Sequence, residues 1–164
     1  MKMGLLGNLF GAKGKIEIGA PVKGELIPIS QVSDSTFAEE MLGKGVAVIP
    51  QEGKFYAPAD GTLESLFPTG HAYSVSTEDG AEILVHIGFE TVKLKGEHFT
   101  IHAEQGQKVK KGDLLVEVDL EAVKAAGYDV TTPMIILNSD SFSAFDKKTG
   151  SVNAMDVALV LTKA

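Results

Sequence analysis

Apolar residues along most of this chain recur at every second position, or in short runs bounded by glycine and proline. That is the spacing of strands, not of helices. Ile16, Ile18 and Ala20 alternate up to Pro21. His71-Ala72-Tyr73-Ser74-Val75-Ser76 alternates and carries aromatic and β-branched residues. Glu82-Ile83-Leu84-Val85-His86-Ile87 is a second such run, with turn chemistry at Glu78-Asp79-Gly80 between the two. Together they predict a hairpin, entered through the turn Pro68-Thr69-Gly70. Residues 152–161 also read as strand. Helix signals are few and short. Thr36-Phe37-Ala38-Glu39 is a capping box ahead of a stop at Gly43, and Asp119 caps residues 120–126 before Gly127. Ser139 or Asp140 opens a turn or two running to Phe145. The pattern predicts an all-β fold: an antiparallel β-sandwich with a few short helical turns.

An internal repeat strengthens that expectation. Ala20-Pro21-Val22-Lys23-Gly24-Glu25-Leu26 recurs 37 positions later as Ala57-Pro58-Ala59-Asp60-Gly61-Thr62-Leu63. A third turn of related type runs from Gly106 through Lys108, Gly112 and Asp113 to Leu115. Residues 15–164 read as one domain, without linker. Residues 1–14 read as a flexible terminal segment. Leu5, Leu6, Leu9 and Phe10 give that segment a weakly amphipathic face, but Gly4, Gly7 and Gly11 oppose a stable helix, so any membrane contact there is expected to be weak.

Composition narrows the chemistry. With 164 residues and 44% hydrophobic content, the chain can bury a sizeable core. Fifteen basic against 22 acidic residues leave a net charge of −7. That argues against nucleic acid as a partner and favours a basic protein surface. Zero cysteines exclude disulfides, thiol catalysis and thiolate metal sites. No apolar run approaches the ~18 residues needed to cross a bilayer.

Two histidines then stand out. A loop of Glu78-Asp79, or of Thr77 through Gly80, sets His71 directly opposite His86, with Cβ atoms roughly 5 Å apart. An Asp79-Gly80 loop makes them diagonal neighbours on one face, about 7–8 Å apart. An odd-numbered loop turns them to opposite faces. Within the second strand Ile83, Val85 and Ile87 form the core face, and His86 shares the other with Leu84 and Gly88. Paired neutral imidazoles suit phosphoryl transfer, one attacking phosphorus through Nε2 while the other steadies its oxygens. The same two nitrogens could bind zinc, though two ligands make an incomplete site. His98 and His102 lie four apart, a metal-ligand spacing on a helix, but in a segment that is β-branched and aromatic. They read as structural, solvent-facing residues.

The segment Val85-His86-Ile87-Gly88-Phe89-Glu90-Thr91-Val92-Lys93-Leu94-Lys95-Gly96-Glu97-His98-Phe99 strongly resembles the active-site signature of the glucose-type IIA component of the bacterial phosphoenolpyruvate-dependent sugar phosphotransferase system. The likeness extends over nearly the whole chain from Ile16. It includes Glu17-Ile18-Gly19-Ala20-Pro21, Phe37-Ala38-Glu39 followed by Gly43-Lys44-Gly45-Val46-Ala47-Val48, and His71-Ala72-Tyr73-Ser74. There are departures: Lys44 stands where aspartate is usual, Ser33 and Thr36 where proline and valine are common, and Leu84 where some members carry phenylalanine.

The resemblance implies a duplicated sandwich of the barrel-sandwich hybrid kind and a cytoplasmic phosphotransferase with a phosphohistidine intermediate. It implies that His86 is the phosphoryl acceptor on Nε2, its Nδ1 held by a main-chain carbonyl near Gly88. His71 would pass the group onward, oriented by the Thr69 hydroxyl. Phe37 and Phe67 would form part of an apolar collar, with Asp34 and Glu90 as an acidic rim. The donor would be the histidine-containing phosphocarrier HPr, the acceptor a cysteine of an EIIB domain. No cofactor is required, and the chain is expected to be a monomer. A second reading is a regulatory module that controls permeases or metabolic kinases according to its phosphorylation state, sometimes through a zinc held by His71, His86 and a partner carboxylate. A zinc hydrolase of the same topology would need an additional carboxylate and an H-x-H pair, and neither motif is present.

Overall fold

The alternating runs do form strands, and all pairings among the described residues are antiparallel. The structure, a computed structural model, describes residues 14–164, so the amphipathic reading of Leu5, Leu6, Leu9 and Phe10 lies outside the described residues. In chain order the strands are β1 (Lys15–Gly19), β2 (Gly24–Pro28), β3 (Lys44–Pro50), β4 (Lys54–Tyr56), β5 (Gly61–Leu66), β6 (Ala72–Ser76) and β7 (Glu82–His86). They continue as β8 (Phe99–Ile101), β9 (Lys108–Val109), β10 (Leu114–Val118), β11 (Thr132–Ile136), β12 (Phe142–Lys147), β13 (Gly150–Val152) and β14 (Val157–Lys163). One eight-stranded sheet has the order β13-β2-β3-β11-β7-β6-β5-β9, and two three-stranded sheets, β1-β14-β12 and β4-β10-β8, complete the sandwich.

The internal repeat folds into reciprocal contacts. The Gly19 amide donates to the Pro58 carbonyl at 2.9 Å, and the Tyr56 amide donates to the Pro21 carbonyl at 2.8 Å. Each copy therefore gives the other the same donor and receives the same acceptor. The correspondence continues outward. Ala20 exchanges main-chain hydrogen bonds with Met155 and Asp156, as Ala57 does with Gly112 and Asp113. The two aspartates close equivalent turns, Asp156 accepting from the Asn153 amide and Asp113 from the Lys110 amide, both at 2.8 Å. Met155, at φ 74°, takes the left-handed conformation that Gly112 takes in the other half.

Alternation decides what lies inside. Ile83, Val85 and Ile87 bury with Tyr73, Val75, Met134, Ile136, Val46 and Val48 in the main core. The opposite face of the same sheet carries a smaller cluster, in which Ala47 and Ile135 are covered by Ile29, Val32, Phe37 and Phe89. β11 is buried along its whole length because both its faces are covered. Leu84 packs against that smaller cluster.

The helices are shorter than the sequence suggested. The first, α1, is a single turn, Ser35–Ala38, and its cap is Asp34, not Thr36; the Asp34 carboxylate accepts from the Thr36 amide at 2.9 Å. The second, α2 (Leu120–Ala125), is capped by Asp119 as expected. Past Ser139 only a 3-10 turn, Ser139–Ser141, forms before the chain enters β12, so the expected helical turns to Phe145 are replaced by strand. The strand expected over residues 152–161 is broken, because Asn153 to Asp156 form the turn between β13 and β14. Lys44 places its amine 5.4 Å from the centre of the Phe145 ring, a cation–π contact that gives the lysine a local partner.

The hairpin also selects among the registers that the sequence left open. Thr77 and Ala81 close a three-residue loop, Glu78-Asp79-Gly80, through the Thr77 amide to the Ala81 carbonyl at 2.9 Å. Gly80 at φ 100° supplies the left-handed residue that a loop of this length requires. The loop is odd-numbered, and Ala72, not His71, faces His86 across β6 and β7.

Candidate active site

Strand alternation with this register would send the two histidines to opposite faces. They meet because His71 lies one residue before β6, still in the turn from Pro68, where alternation no longer governs its side chain. Its carbonyl accepts from the Ile87 amide at 2.6 Å, which ties the turn to the end of β7. The ring centres are 5.2 Å apart and the planes are inclined at 80°.

Each ring is held at Nδ1. His86 Nδ1 lies 2.7 Å from the Gly88 carbonyl oxygen. A carbonyl only accepts, so in the neutral ring Nδ1 carries the proton and Nε2 keeps its lone pair. His71 Nδ1 lies 2.5 Å from the Thr69 hydroxyl. His71 is buried, 4% exposed, and His86 is half-buried. Burial disfavours the charged imidazolium, and the neighbouring His86 disfavours it further, so His71 is brought down to about 4. His86 is also lowered, by burial above all. Its bond to Gly88 and the negative charge of Asp34 oppose that shift. Both rings are neutral at pH 7.

Aromatic residues surround the pair. Phe37 stands 5.2 Å from the His86 ring and Phe67 stands 5.1 Å from the His71 ring, centre to centre. Phe89, which the sequence reading passed over, backs Phe37 at 5.8 Å. Phe67 is 44% exposed and Val92 49%. The two acidic residues differ in state. Asp34 is half-buried as the α1 cap, while Glu90 is exposed and ion-paired with Lys93 at 2.9 Å.

Two more residues missed from the sequence set the floor. Gly88 has φ 76°, and a Cβ there would stand 2.7 Å from both the Asp129 carbonyl and the Thr91 methyl. Only glycine fits. Thr91 sits within the quoted signature, so its position was visible and its contact was not. Asp129 had no local signal.

His98 and His102 are remote from this pair in chemistry as well as sequence. His98 is half-buried at φ 75°, and exposed His102 pairs with Glu117 at 2.7 Å. Among the described residues, no group of three or more His, Asp or Glu side chains is arranged to hold a metal ion. His71 and His86 offer a zinc only their two Nε2 atoms, so the remaining ligands would have to come from elsewhere. No helix among the described residues is long and apolar enough to cross a membrane.

Comparison with known proteins bears on this geometry. A family model described as phosphoenolpyruvate-dependent sugar phosphotransferase system, EIIA 1, matches residues 16–142. The chain is 43% identical over 166 residues to the PTS system glucose-specific EIIA component of Haemophilus influenzae, covering 98% of this chain and 100% of that protein. It is 45% identical over 156 residues to the PTS system beta-glucoside-specific EIIBCA component of Halalkalibacterium halodurans, covering 93% of this chain but 24% of that one. The chain thus spans about a quarter of the length of the beta-glucoside-specific relatives it matches. Among solved structures, glucose permease IIA from Mycoplasma capricolum superposes with a TM-score of 0.83 at 38% identity, over 89% of this chain and 95% of that one.

Proposed function

This chain belongs to the EIIA 1 family of the phosphoenolpyruvate-dependent sugar phosphotransferase system, and on that premise we propose that it is a phosphoryl carrier in which His86 takes the group and His71 helps to pass it on. The observation that carries the reading is the Nε2 of His86. Its lone pair is set free by the Nδ1 bond to Gly88 and faces a second neutral imidazole inside an aromatic collar.

The donor is phospho-HPr. The Nε2 lone pair of His86 forms a bond to phosphorus as the donor's P–N bond breaks. The Nδ1 proton stays on the ring, donated to the Gly88 carbonyl, which stabilises the charge gained by the ring. If the Thr69 hydroxyl donates to His71 Nδ1, His71 Nε2–H is left to hydrogen-bond a phosphoryl oxygen. Phe37 and Phe67 keep water from the phosphoramidate. A cysteine of an EIIB domain then accepts the group as the His86 P–N bond breaks. Relatives named EIIBCA and EIICBA components support an EIIB partner. The exposed apolar surface at Phe67 and Val92 is the docking face for both partners. We place the protein in the cytoplasm, where phosphoenolpyruvate is available, acting in uptake and phosphorylation of a sugar.

Enzyme I, HPr and radiolabelled phosphoenolpyruvate will label the protein through a bond that is acid-labile and alkali-stable. His86→Gln will abolish the label, and label retained in that variant refutes the assignment. His71→Gln will still accept the group but donate it poorly to EIIB. Equal loss of both half-reactions contradicts the role given to His71.

A further inference from the structure

The chain must turn sharply after His86, and the turn is built from two peptide planes that meet at Gly88. The second plane is held at both edges: its carbonyl accepts a hydrogen bond from His86 Nδ1 at 2.7 Å, and its N–H, that of Phe89, donates to the Asp129 carbonyl at 3.0 Å. The first plane carries the Ile87 carbonyl, and that oxygen accepts from the Thr91 hydroxyl at 2.5 Å. Thr91 is wholly buried. Its methyl also lies where any side chain at position 88 would have to go. Without the hydroxyl, the Ile87 carbonyl is a buried acceptor that has lost its side-chain donor. Gly88 sets little resistance to rotation, so a shift of the first plane changes its φ and tilts the second plane about the Phe89–Asp129 bond, taking its carbonyl off the line to Nδ1. A neutral imidazole takes the tautomer that its held nitrogen dictates. His86 released from Gly88 spends part of its time with the proton on Nε2, where it has no lone pair to offer phosphorus.

We propose that Thr91 is a positioning residue for phosphoryl transfer, its hydroxyl fixing the Ile87–Gly88 peptide so that His86 is held as the Nδ1–H tautomer. This rests on the reading of His86 as the acceptor.

The test uses the full chain with 15N-labelled histidine at pH 7. Ring nitrogen shifts report the His86 tautomer, and a separate assay gives the rate of phosphoryl acceptance from phospho-HPr. Thr91→Val will move the His86 shifts toward a mixture of tautomers and slow acceptance about tenfold. Thr91→Ser, which keeps the hydroxyl, will hold the Nδ1–H form and restore most of the rate. Should Thr91→Val not fold, Thr91→Ala reads the same change. Wild-type ring shifts in a variant lacking the hydroxyl overturn the proposal, as does a serine variant no better than valine. The ring shifts need no phosphoryl transfer, so a wild-type protein that takes no label on His86 overturns the carrier reading alone.

Discussion

His71 couples the site to the stability of the whole domain, and acid is the perturbation that exposes the coupling. In the unfolded chain its imidazole titrates near the ordinary 6.5; in the fold, burial and the neighbouring His86 bring it to about 4. Between those values the unfolded chain holds a proton that the folded protein does not, so stability rises with pH across the window. The contribution is complete above 6.5 and is lost as pH falls toward 4. Each pH unit fully inside the window is worth about 1.4 kcal/mol. The expected loss from His71 alone is therefore about 2 kcal/mol by pH 5 and about 3 kcal/mol by pH 4. Against a typical domain stability of about 5–15 kcal/mol this is a large fraction. Carboxylates titrate in the same range, so the informative quantity is a difference. Urea unfolding of wild type and His71→Gln at pH 7, 5 and 4 will give stability curves that converge by about those amounts, the variant losing less. The His71 ring, followed by NMR, will titrate with a midpoint near 4. Parallel stability curves, or a His71 midpoint near 6.5, refute the reasoning.

Two other substitutions follow from contacts in the structure. Thr69→Val removes the partner of His71 Nδ1 in a buried ring, which will cost about 1–3 kcal/mol in urea unfolding and change the His71 ring shifts at pH 7. Unchanged shifts would mean that the hydroxyl does not orient the ring. Met155→Gly relieves a left-handed residue at the place where the other half of the repeat has Gly112. Its thermal midpoint will be equal to or above that of wild type, by up to about 1 kcal/mol in stability, and a loss beyond that size would show that Met155 packing outweighs its backbone strain.

The local pattern determined more of the fold than of the site. Alternation marked Ile83, Val85 and Ile87 as core and left His86 outside it, because side-chain direction in a strand depends only on position parity. The Ala-Pro-x-x-Gly-x-Leu repeat announced a duplication, and the reciprocal bonds of Gly19 with Pro58 and Tyr56 with Pro21 are its physical form. Cap chemistry worked where the cap was unambiguous, at Asp119, and failed where Asp34 and Thr36 competed two residues apart. Resemblance to a family, rather than spacing, pointed to Thr69 and to the carbonyl near Gly88.

The meeting of the two histidines was decided only in three dimensions. Counting across the hairpin left the loop open, since even-numbered and odd-numbered turns are both compatible with Thr77-Glu78-Asp79-Gly80, and the structure takes the three-residue one. By the three-residue register alone the rings should part. They converge because His71 stops short of the strand and is steered by a turn, by Thr69 and by the Ile87 amide. The support beneath Gly88, from Thr91 and from Asp129 some forty residues later, is a product of long-range packing. A sequence records which groups can form hydrogen bonds; which of them face each other is fixed when distant segments are pressed together and every buried polar atom must find a partner.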